Sequence, residues 1–193
     1  EKRKSSSLLP VTSATVLVNC FKKKGRKDME DLKTNVAGLT LKPVEKEDLS
    51  TLRGLLYELA EYEHLEDIFD VAEDVLEESL LIKHSAEAFL AIFEGKAVGY
   101  AIYFMNFSSF LGRAGMYLED LYVKPEYRGR GIGLAMIKTV ARIAVARNCR
   151  RFEWVCLNWN VNSIKFYKSL GAKPLDEWTT YRVTDEDLKK LAE

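Results

Sequence analysis

A glycine-rich turn between a predicted strand and a predicted helix constrains the fold of this chain most strongly. Arg128–Gly133 reads Arg-Gly-Arg-Gly-Ile-Gly and lies between an apolar stretch, Met116–Val123, and a long apolar-periodic stretch, Ile132–Arg147. Alternate glycines let several backbone N–H groups converge on one anion, and the N-terminus of the following helix adds partial positive charge. This order of elements predicts an α/β fold with a phosphate site at the turn.

The residues around the turn argue against two of three common phosphate ligands. A P-loop has Lys-Ser or Lys-Thr after its last glycine, whereas this chain has Leu134-Ala135. A Rossmann site places its third glycine differently and needs an acidic residue at the end of the next strand, but Glu153 stands at the start of that strand. The remaining pattern, Arg-x-x-Gly-x-Gly from Arg128, resembles the acetyl-CoA turn of GNAT acetyltransferases. A glycine-rich turn with only a structural role stays open as the alternative.

Hydrophobic periodicity predicts alternating strands and helices from Leu39 onwards. Their order places helices on both faces of a mixed sheet, which is an α/β architecture. The predicted strands are Leu39–Pro43, Ala88–Phe93, Ala97–Phe104, Met116–Val123, Arg151–Leu157 and Glu177–Val183, with a loop at Asn106–Arg113. The predicted helices are Val44–Tyr62, Asp70–Leu81, Ile132–Arg147 and Val161–Leu170, with a short one after Thr184.

The composition is typical of a globular domain and argues against several other classes. No stretch approaches the roughly 18 apolar residues that span a bilayer. Cys20, Cys149 and Cys156 include no Cys-x-x-Cys pair, so they predict neither a disulfide framework nor a zinc site. The two histidines give no metal signature, and no Gly-x-Ser-x-Gly motif points to a hydrolase. We expect a cytoplasmic protein without a bound metal.

Charge is unevenly distributed although the formal net charge is zero. Residues 1–37 carry nine Lys and Arg against four Asp and Glu, which predicts a basic, flexible extension ahead of a domain at 38–193. A targeting peptide stays open for this extension, and we expect neither a nucleic acid nor a membrane as its partner. Residues 58–78 hold ten carboxylates and no Lys or Arg. They form either solvated helix faces or an electrostatic funnel for a cationic substrate.

Three motifs together resemble the diamine (spermidine/spermine) and thialysine acetyltransferase branch of the GNAT superfamily. They are Tyr117–Val123, the glycine-rich turn and Trp159–Ala172, in the family's order and spacing. The resemblance spans about Leu39–Val183. It implies the GNAT fold, a mixed and mostly antiparallel twisted sheet of six to seven strands with helices on both faces. It also implies acetyl-CoA as cosubstrate and a homodimer. The loop Ser108–Arg113 looks more like thialysine-type enzymes than strict spermine enzymes, so the identity of the amine stays open.

The same resemblance assigns the catalytic roles to Glu119 and Tyr167. An alkyl ammonium, with a pKa of about 10, must lose a proton before its nitrogen attacks the thioester. The departing thiolate then needs a proton or a stabilising donor. Glu119 matches the family's base, and Tyr167 matches its general acid. A salt-bridged glutamate and a core tyrosine are the structural alternatives.

A β-bulge is expected at Glu119 and Asp120. A regular strand directs consecutive side chains to opposite faces, so both carboxylates serve one substrate only if a bulge intervenes. The resemblance implies such a bulge, which separates two strands and admits the pantetheine arm of the cofactor. Asp120 then helps to hold the cation, and the backbone amides of Leu121 and Val123 pair with the arm.

The remaining site residues are also implied by the resemblance, and Asn160 is expected to cap its helix as well. The predicted cofactor contacts are Leu121, Tyr122, Val123, Arg128, Gly129, Arg130, Gly131, Ile132, Gly133, Leu134, Asn160, Ser163 and Tyr167. The predicted substrate contacts are Tyr62, Glu63, Glu119, Asp120, Glu153, Trp154 and Val155. The predicted reaction is acetyl transfer to a primary amine of a small cationic substrate, namely a polyamine, a diamine or a lysine- or thialysine-like amino acid. A protein lysine or N-terminal acetyltransferase and a non-catalytic acyl-CoA-binding module are the alternatives.

Overall fold

The computed structural model describes Leu32 and residues 34–193, which form an α/β fold. The chain divides into two compact units, one ending at Trp154 and the other spanning Val155–Glu193. The basic runs of the predicted extension lie outside the described residues. The strands are β1 (Leu39–Pro43), β2 (Glu87–Phe93), β3 (Lys96–Ser108), β4 (Arg113–Val123) and β5 (Phe152–Glu153). The helices are α1 (Leu49–Glu63), α2 (Glu73–Leu76), α3 (Ile132–Ala146), α4 (Val161–Ser169) and α5 (Asp185–Leu191).

The described strands form one mixed sheet in the order β1-β2-β3-β4-β5. The first four strands pair antiparallel, and β5 pairs parallel to β4. The mixed, mostly antiparallel sheet is therefore confirmed, with five strands among the described residues instead of six to seven. The predicted strand Glu177–Val183 has no regular secondary structure. Among the described residues no strand pairs with it, and a strand is stable only where its backbone groups are paired.

Helix α1 packs on one face of the sheet through its leucine stripe. Leu52 is fully buried, and Leu49 and Leu55 are nearly so. The stripe contacts Leu90 of β2 and Tyr100 of β3 in a single apolar cluster. Burying a leucine side chain contributes about 1.5–3 kcal/mol, so this contact fixes α1 on the sheet.

Helix α3 lies on the opposite face of the sheet. Arg147, just after α3, forms a bidentate ion pair with Glu87. Glu87 is three residues before Leu90 on β2, and this odd spacing puts the two side chains on opposite faces. The buried side of α3 includes Met136, Val140 and Ile143. Helices on both faces were predicted, and the unit ending at Trp154 confirms them.

Several predicted boundaries are wrong for local reasons. The expected helix Asp70–Leu81 begins only at Glu73, and from Glu77–Ile82 it continues with π-helical hydrogen bonds. The expected loop at Asn106–Arg113 is shorter, because the β3–β4 ladder continues to Ser108 paired with Arg113. The expected strand Arg151–Leu157 pairs only at β5. Thr184 begins α5, but its side chain forms no capping hydrogen bond.

Two further searches cover only the described part of the chain. None of the helices there is both long and apolar enough to cross a membrane. No group of three or more His, Cys, Asp or Glu side chains in that part could hold a metal ion.

Candidate active site

The glycine-rich turn has the geometry that its sequence predicts. Gly129 and Gly131 have φ angles of 76° and 80°, in the left-handed region that glycine adopts without steric cost. Gly131 is also the N-cap residue of α3. Left-handed glycines at the N-terminus of a 15-residue helix present backbone N–H groups to an anion, where the helix dipole adds positive potential. The turn can therefore hold a pyrophosphate.

Arg128 connects the turn to the end of β4 and to α1. Its Nε donates a hydrogen bond of 2.8 Å to the carbonyl oxygen of Val123. Its guanidinium carbon lies 4.7 Å from the centre of the Tyr62 ring and 6.0 Å from that of the Tyr122 ring. These are cation–π distances.

A second contact between α1 and β4 lies one helical turn before Tyr62. The Tyr122 hydroxyl donates to Glu58 Oε2 at 3.1 Å, and Lys124 Nζ donates to Glu58 Oε1 at 2.6 Å. Glu58 and Tyr62 are four residues apart, so they project from the same side of α1. Burial and the Glu58 carboxylate raise the pKa of Tyr122, which keeps its hydroxyl protonated as a donor. On the side of β4, Tyr122 and Lys124 stand shortly before the glycine-rich turn in the chain.

The predicted β-bulge is present in β4. Leu118 pairs with Tyr103 and Asp120 pairs with Ile102, so Glu119 is an extra residue without a partner on β3. Glu119 is exposed. On the other side of β4, pairing with β5 is confined to Met116 and Tyr117 in the described structure. The strand edge beyond Tyr117 includes Leu121–Val123, the segment predicted to meet the pantetheine arm.

Three carboxylates close to the bulge form what we call the acidic cluster, Glu63, Glu119 and Asp120. Burial, followed by the charge of Glu119, raises the pKa of Asp120 to about 7. The charge of Glu63 raises the same pKa, which places Glu63 close enough to repel Asp120. Burial also raises the pKa of Glu63 itself. Such a concentration of negative charge is suited to an ammonium group.

Tyr100 forms a hydrogen bond with Asp120 from within the core. Its side chain is fully buried, and its hydroxyl donates to Asp120 Oδ2 at 3.3 Å. This hydrogen bond lowers the pKa of Asp120, against the effect of burial. Neither Tyr100 nor Glu58 was predicted from the sequence, because their roles depend on a strand register and a helix contact that no local motif encodes.

The predicted substrate residues at β5 and directly after it, Glu153 and Trp154, have contacts with neighbouring side chains. Glu153 forms an ion pair of 2.8 Å with Arg151 and accepts a hydrogen bond of 3.0 Å from Asn106. The Trp154 ring lies edge-on to Phe152, with 5.0 Å between ring centres. These contacts favour a structural role for both residues, and their contact with substrate stays a prediction. Val155 belongs to the second unit and is exposed.

The second unit contains the predicted residues of the third motif. Asn160 caps α4 as predicted, and its side chain accepts a hydrogen bond of 3.2 Å from the backbone N–H of Ser163. Ser163 and Tyr167 are four residues apart on α4 and both are half-buried. The Tyr167 ring packs against Phe166, with 5.4 Å between ring centres. The roles of Asn160, Ser163 and Tyr167 toward the cofactor stay predictions.

Comparison with known proteins decides the family. The model of the acetyltransferase (GNAT) family matches residues 51–172, well over half of the chain. The chain belongs to the GNAT family. This acetyltransferase is 36% identical to thialysine N-epsilon-acetyltransferase from Sus scrofa over 81% of the chain and 99% of that protein. It is 38% identical to L-ornithine N5-acetyltransferase NATA1 from Arabidopsis thaliana over 48% of the chain and 41% of that protein.

The solved structures agree with this assignment. The integron cassette protein VCH_CASS6 from V. cholerae matches with a TM-score of 0.69 at 33% identity, over 81% of this chain and 98% of that chain. The protein is therefore an N-acetyltransferase of the GNAT fold. The predicted family, fold class and enzyme class are confirmed.

Proposed function

We propose that this acetyltransferase moves the acetyl group of acetyl-CoA to a primary amine of a small cationic substrate. One observation carries the proposal: Glu119 and Asp120 of the acidic cluster and the glycine-rich turn lie at the two ends of the same short segment, Glu119–Gly133. The cluster attracts a cation, and the turn attracts the phosphates of the cofactor. The thialysine and ornithine enzymes among the relatives are named for amino acids with an amine in the side chain.

The cofactor would be held mainly by backbone groups. The N–H groups of Gly129–Leu134 would bind the pyrophosphate, with Arg128 and Arg130 adding charge. The edge of β4 at Leu121–Val123 would extend its ladder onto the pantetheine arm, as a strand does with a bound peptide. The N–H of Leu121 would polarise the acetyl carbonyl. Asn160 and Ser163 would also contact the cofactor, as the family resemblance implies.

The reaction would need one base and one acid. Glu119 would take a proton from the substrate ammonium, directly or through water, because the bulge leaves its carboxylate exposed. The neutral nitrogen would attack the thioester carbon, forming the C–N bond, and collapse of the tetrahedral intermediate would break the C–S bond. The nitrogen of the adduct would lose its second proton to solvent. Tyr167 would give its proton to the departing thiolate. Asp120 and Glu63 would hold the cationic part of the substrate.

A thiol-release assay with a panel of amines tests the proposal. The panel contains putrescine, spermidine, ornithine, thialysine and a lysine-containing peptide. We expect CoA release with at least one free amine and little with the peptide. Release with the peptide alone would make the enzyme a protein acetyltransferase. Tight acetyl-CoA binding without release on any amine would make it a non-catalytic binding module.

We also propose that the enzyme is a homodimer, as the family resemblance implies. The second unit exposes Trp178 and Tyr181 by 76% and 89% in a segment without regular secondary structure. Exposed aromatic residues of this kind are typical of an interface, and we propose a second copy as the occupant. Light scattering during gel filtration should give twice the chain mass. A monomer at micromolar concentration would refute the proposal.

A further inference from the structure

Tyr62, predicted from the sequence to contact the substrate, contacts Arg128 of the glycine-rich turn. Its ring lies under the Arg128 guanidinium, and Tyr122 lies at a longer distance from the same group. Tyr62 is half-buried in the last turn of α1, directly before Glu63 of the acidic cluster. The residue therefore lies between the group expected to meet a phosphate and the group expected to meet an amine.

We propose that Tyr62 is a positioning residue for Arg128, and that this contact couples acetyl-CoA binding to the amine-binding end of α1. The inference rests on the proposed function, because it requires that Arg128 binds the cofactor. It gives Tyr62 a second role beside the substrate contact predicted from the sequence.

The geometry of the guanidinium supports this role. Stacking uses the flat face of the group, and its N–H donors lie in the plane. One of these, Nε–H, donates to the Val123 carbonyl, which fixes the rotation of the group about its stem. With Nε–H occupied in this way, a phosphate would accept from the terminal N–H groups of the guanidinium. An arginine held in this way loses less side-chain entropy when the cofactor binds.

The contact with α1 distinguishes Arg128 from its neighbour in the turn. Arg130 also lies over aromatic rings, at 5.8 Å from Phe93 and 5.5 Å from Tyr127. Neither ring belongs to α1. Of the two turn arginines, only Arg128 has a recorded ring contact with α1 in the described structure. Tyr62 therefore gives Arg128 a direct contact with α1, whereas the more distant Tyr122 ring reaches α1 through its hydrogen bond to Glu58.

Calorimetric binding of acetyl-CoA without any amine tests the proposal. Tyr62→Leu removes the ring, and we expect the Kd to rise about two- to fivefold, the range of a partly exposed cation–π contact. Tyr62→Phe keeps the ring and should bind within about 1.5-fold of the parent. Tyr57→Leu is the matched control, since Tyr57 lies on α1 and packs edge-on against Phe69 instead of Arg128. It should leave the Kd unchanged.

A double-mutant cycle assigns the effect to the contact. In an Arg128→Gln background, Tyr62→Leu should change the Kd by less than about 1.5-fold, because the partner is already absent. Coupling of two binding free energies is reciprocal, so bound CoA should change the Kd of the amine less in Tyr62→Leu than in the parent. Melting temperatures show whether each variant is folded. If Tyr62→Leu does not fold, Tyr62→Gln serves in its place at this half-buried helix position.

The outcomes separate the inference from the proposed function. An unchanged Kd in Tyr62→Leu overturns the inference, even if its amine KM rises, because Tyr62 then contacts the amine alone. An equal loss in Tyr57→Leu overturns it too, since the effect would be general to α1. Normal thiol release by the parent enzyme in either case leaves the proposed function standing. Absence of release by the parent refutes the function independently.

Discussion

Tyr100→Phe should move the pH dependence of amine binding, because it removes the hydroxyl that donates to Asp120. That hydrogen bond stabilises the ionised carboxylate, so its loss raises the pKa of Asp120 above its present value of about 7. A hydrogen bond to a charged group is worth about 1.5–3 kcal/mol. Because this hydrogen bond is long, at 3.3 Å, we take the lower end of that range. Its loss should therefore raise the pKa of Asp120 by about one unit.

The effect on substrate binding follows from the sign of this shift. Ionised Asp120 attracts the substrate cation and the neutral acid does not. At pH 7 about half of the parent molecules would carry the ionised form, against roughly a tenth of the variant molecules. The amine KM at pH 7 should therefore rise about fivefold. It should recover toward the parent value near pH 9, because Asp120 is then ionised in both proteins.

Initial rates at saturating acetyl-CoA from pH 6 to pH 9 measure this dependence. Tyr103→Phe is the matched control, since Tyr103 is a buried tyrosine on the same strand that packs against Phe89. Identical pH profiles of KM for Tyr100→Phe and the parent would refute the reasoning. So would a loss of kcat that is independent of pH.

Three other substitutions test the core and the proposed chemistry. Leu52→Ala should lower the free energy of unfolding by about 2–5 kcal/mol, because Leu52 is fully buried between α1 and the sheet. Urea denaturation measures this change, and a loss under about 1 kcal/mol would contradict the packing. Glu119→Gln should lower kcat about a hundredfold or more and remove the acidic limb of the pH–rate profile, because the base is lost. An unaltered acidic limb would show that another group is the base. Tyr167→Phe should lower kcat about tenfold or more, while the Kd for acetyl-CoA changes less than about twofold. Unchanged turnover in stopped-flow assays would exclude Tyr167 as the acid.

The sequence predicted the parts of this protein that depend on local chemistry. The alternate glycines of Arg128–Gly133 allow left-handed backbone angles without help from distant residues. Asn160 caps α4 by accepting a hydrogen bond from Ser163, three residues later. The leucines of α1 mark its buried face by their spacing alone. The bulge at Glu119 was expected from the family resemblance and not from the strand's own pattern.

The parts that the sequence did not predict depend on contacts between distant segments. Tyr100 meets Asp120 only because β3 and β4 pair in one register, and Glu58 meets Lys124 across 66 positions of the chain. The stretch Glu177–Val183 contains aromatic and β-branched residues that favour a strand, yet pairing requires a neighbouring strand that the described fold does not supply. The strand propensity of a segment depends on its own residues, whereas strand pairing depends on the residues of two segments.

The extra residue in β4 also decides which even-numbered side chains meet which helix. Before the bulge, Leu118 lies opposite Tyr103, which is on the side of α3; after it, Asp120 and Tyr122 lie opposite Ile102 and Tyr100, on the side of α1. Deleting Glu119 alone would make Leu118 and Asp120 consecutive, so they would still pair with Tyr103 and Ile102 and still point to opposite faces of the sheet. The extra residue therefore adds the Glu119 carboxylate to the strand while its neighbours keep their partners on β3. A one-residue deletion here should remove the predicted base and the bulge but leave Asp120 and Tyr122 on the side of α1.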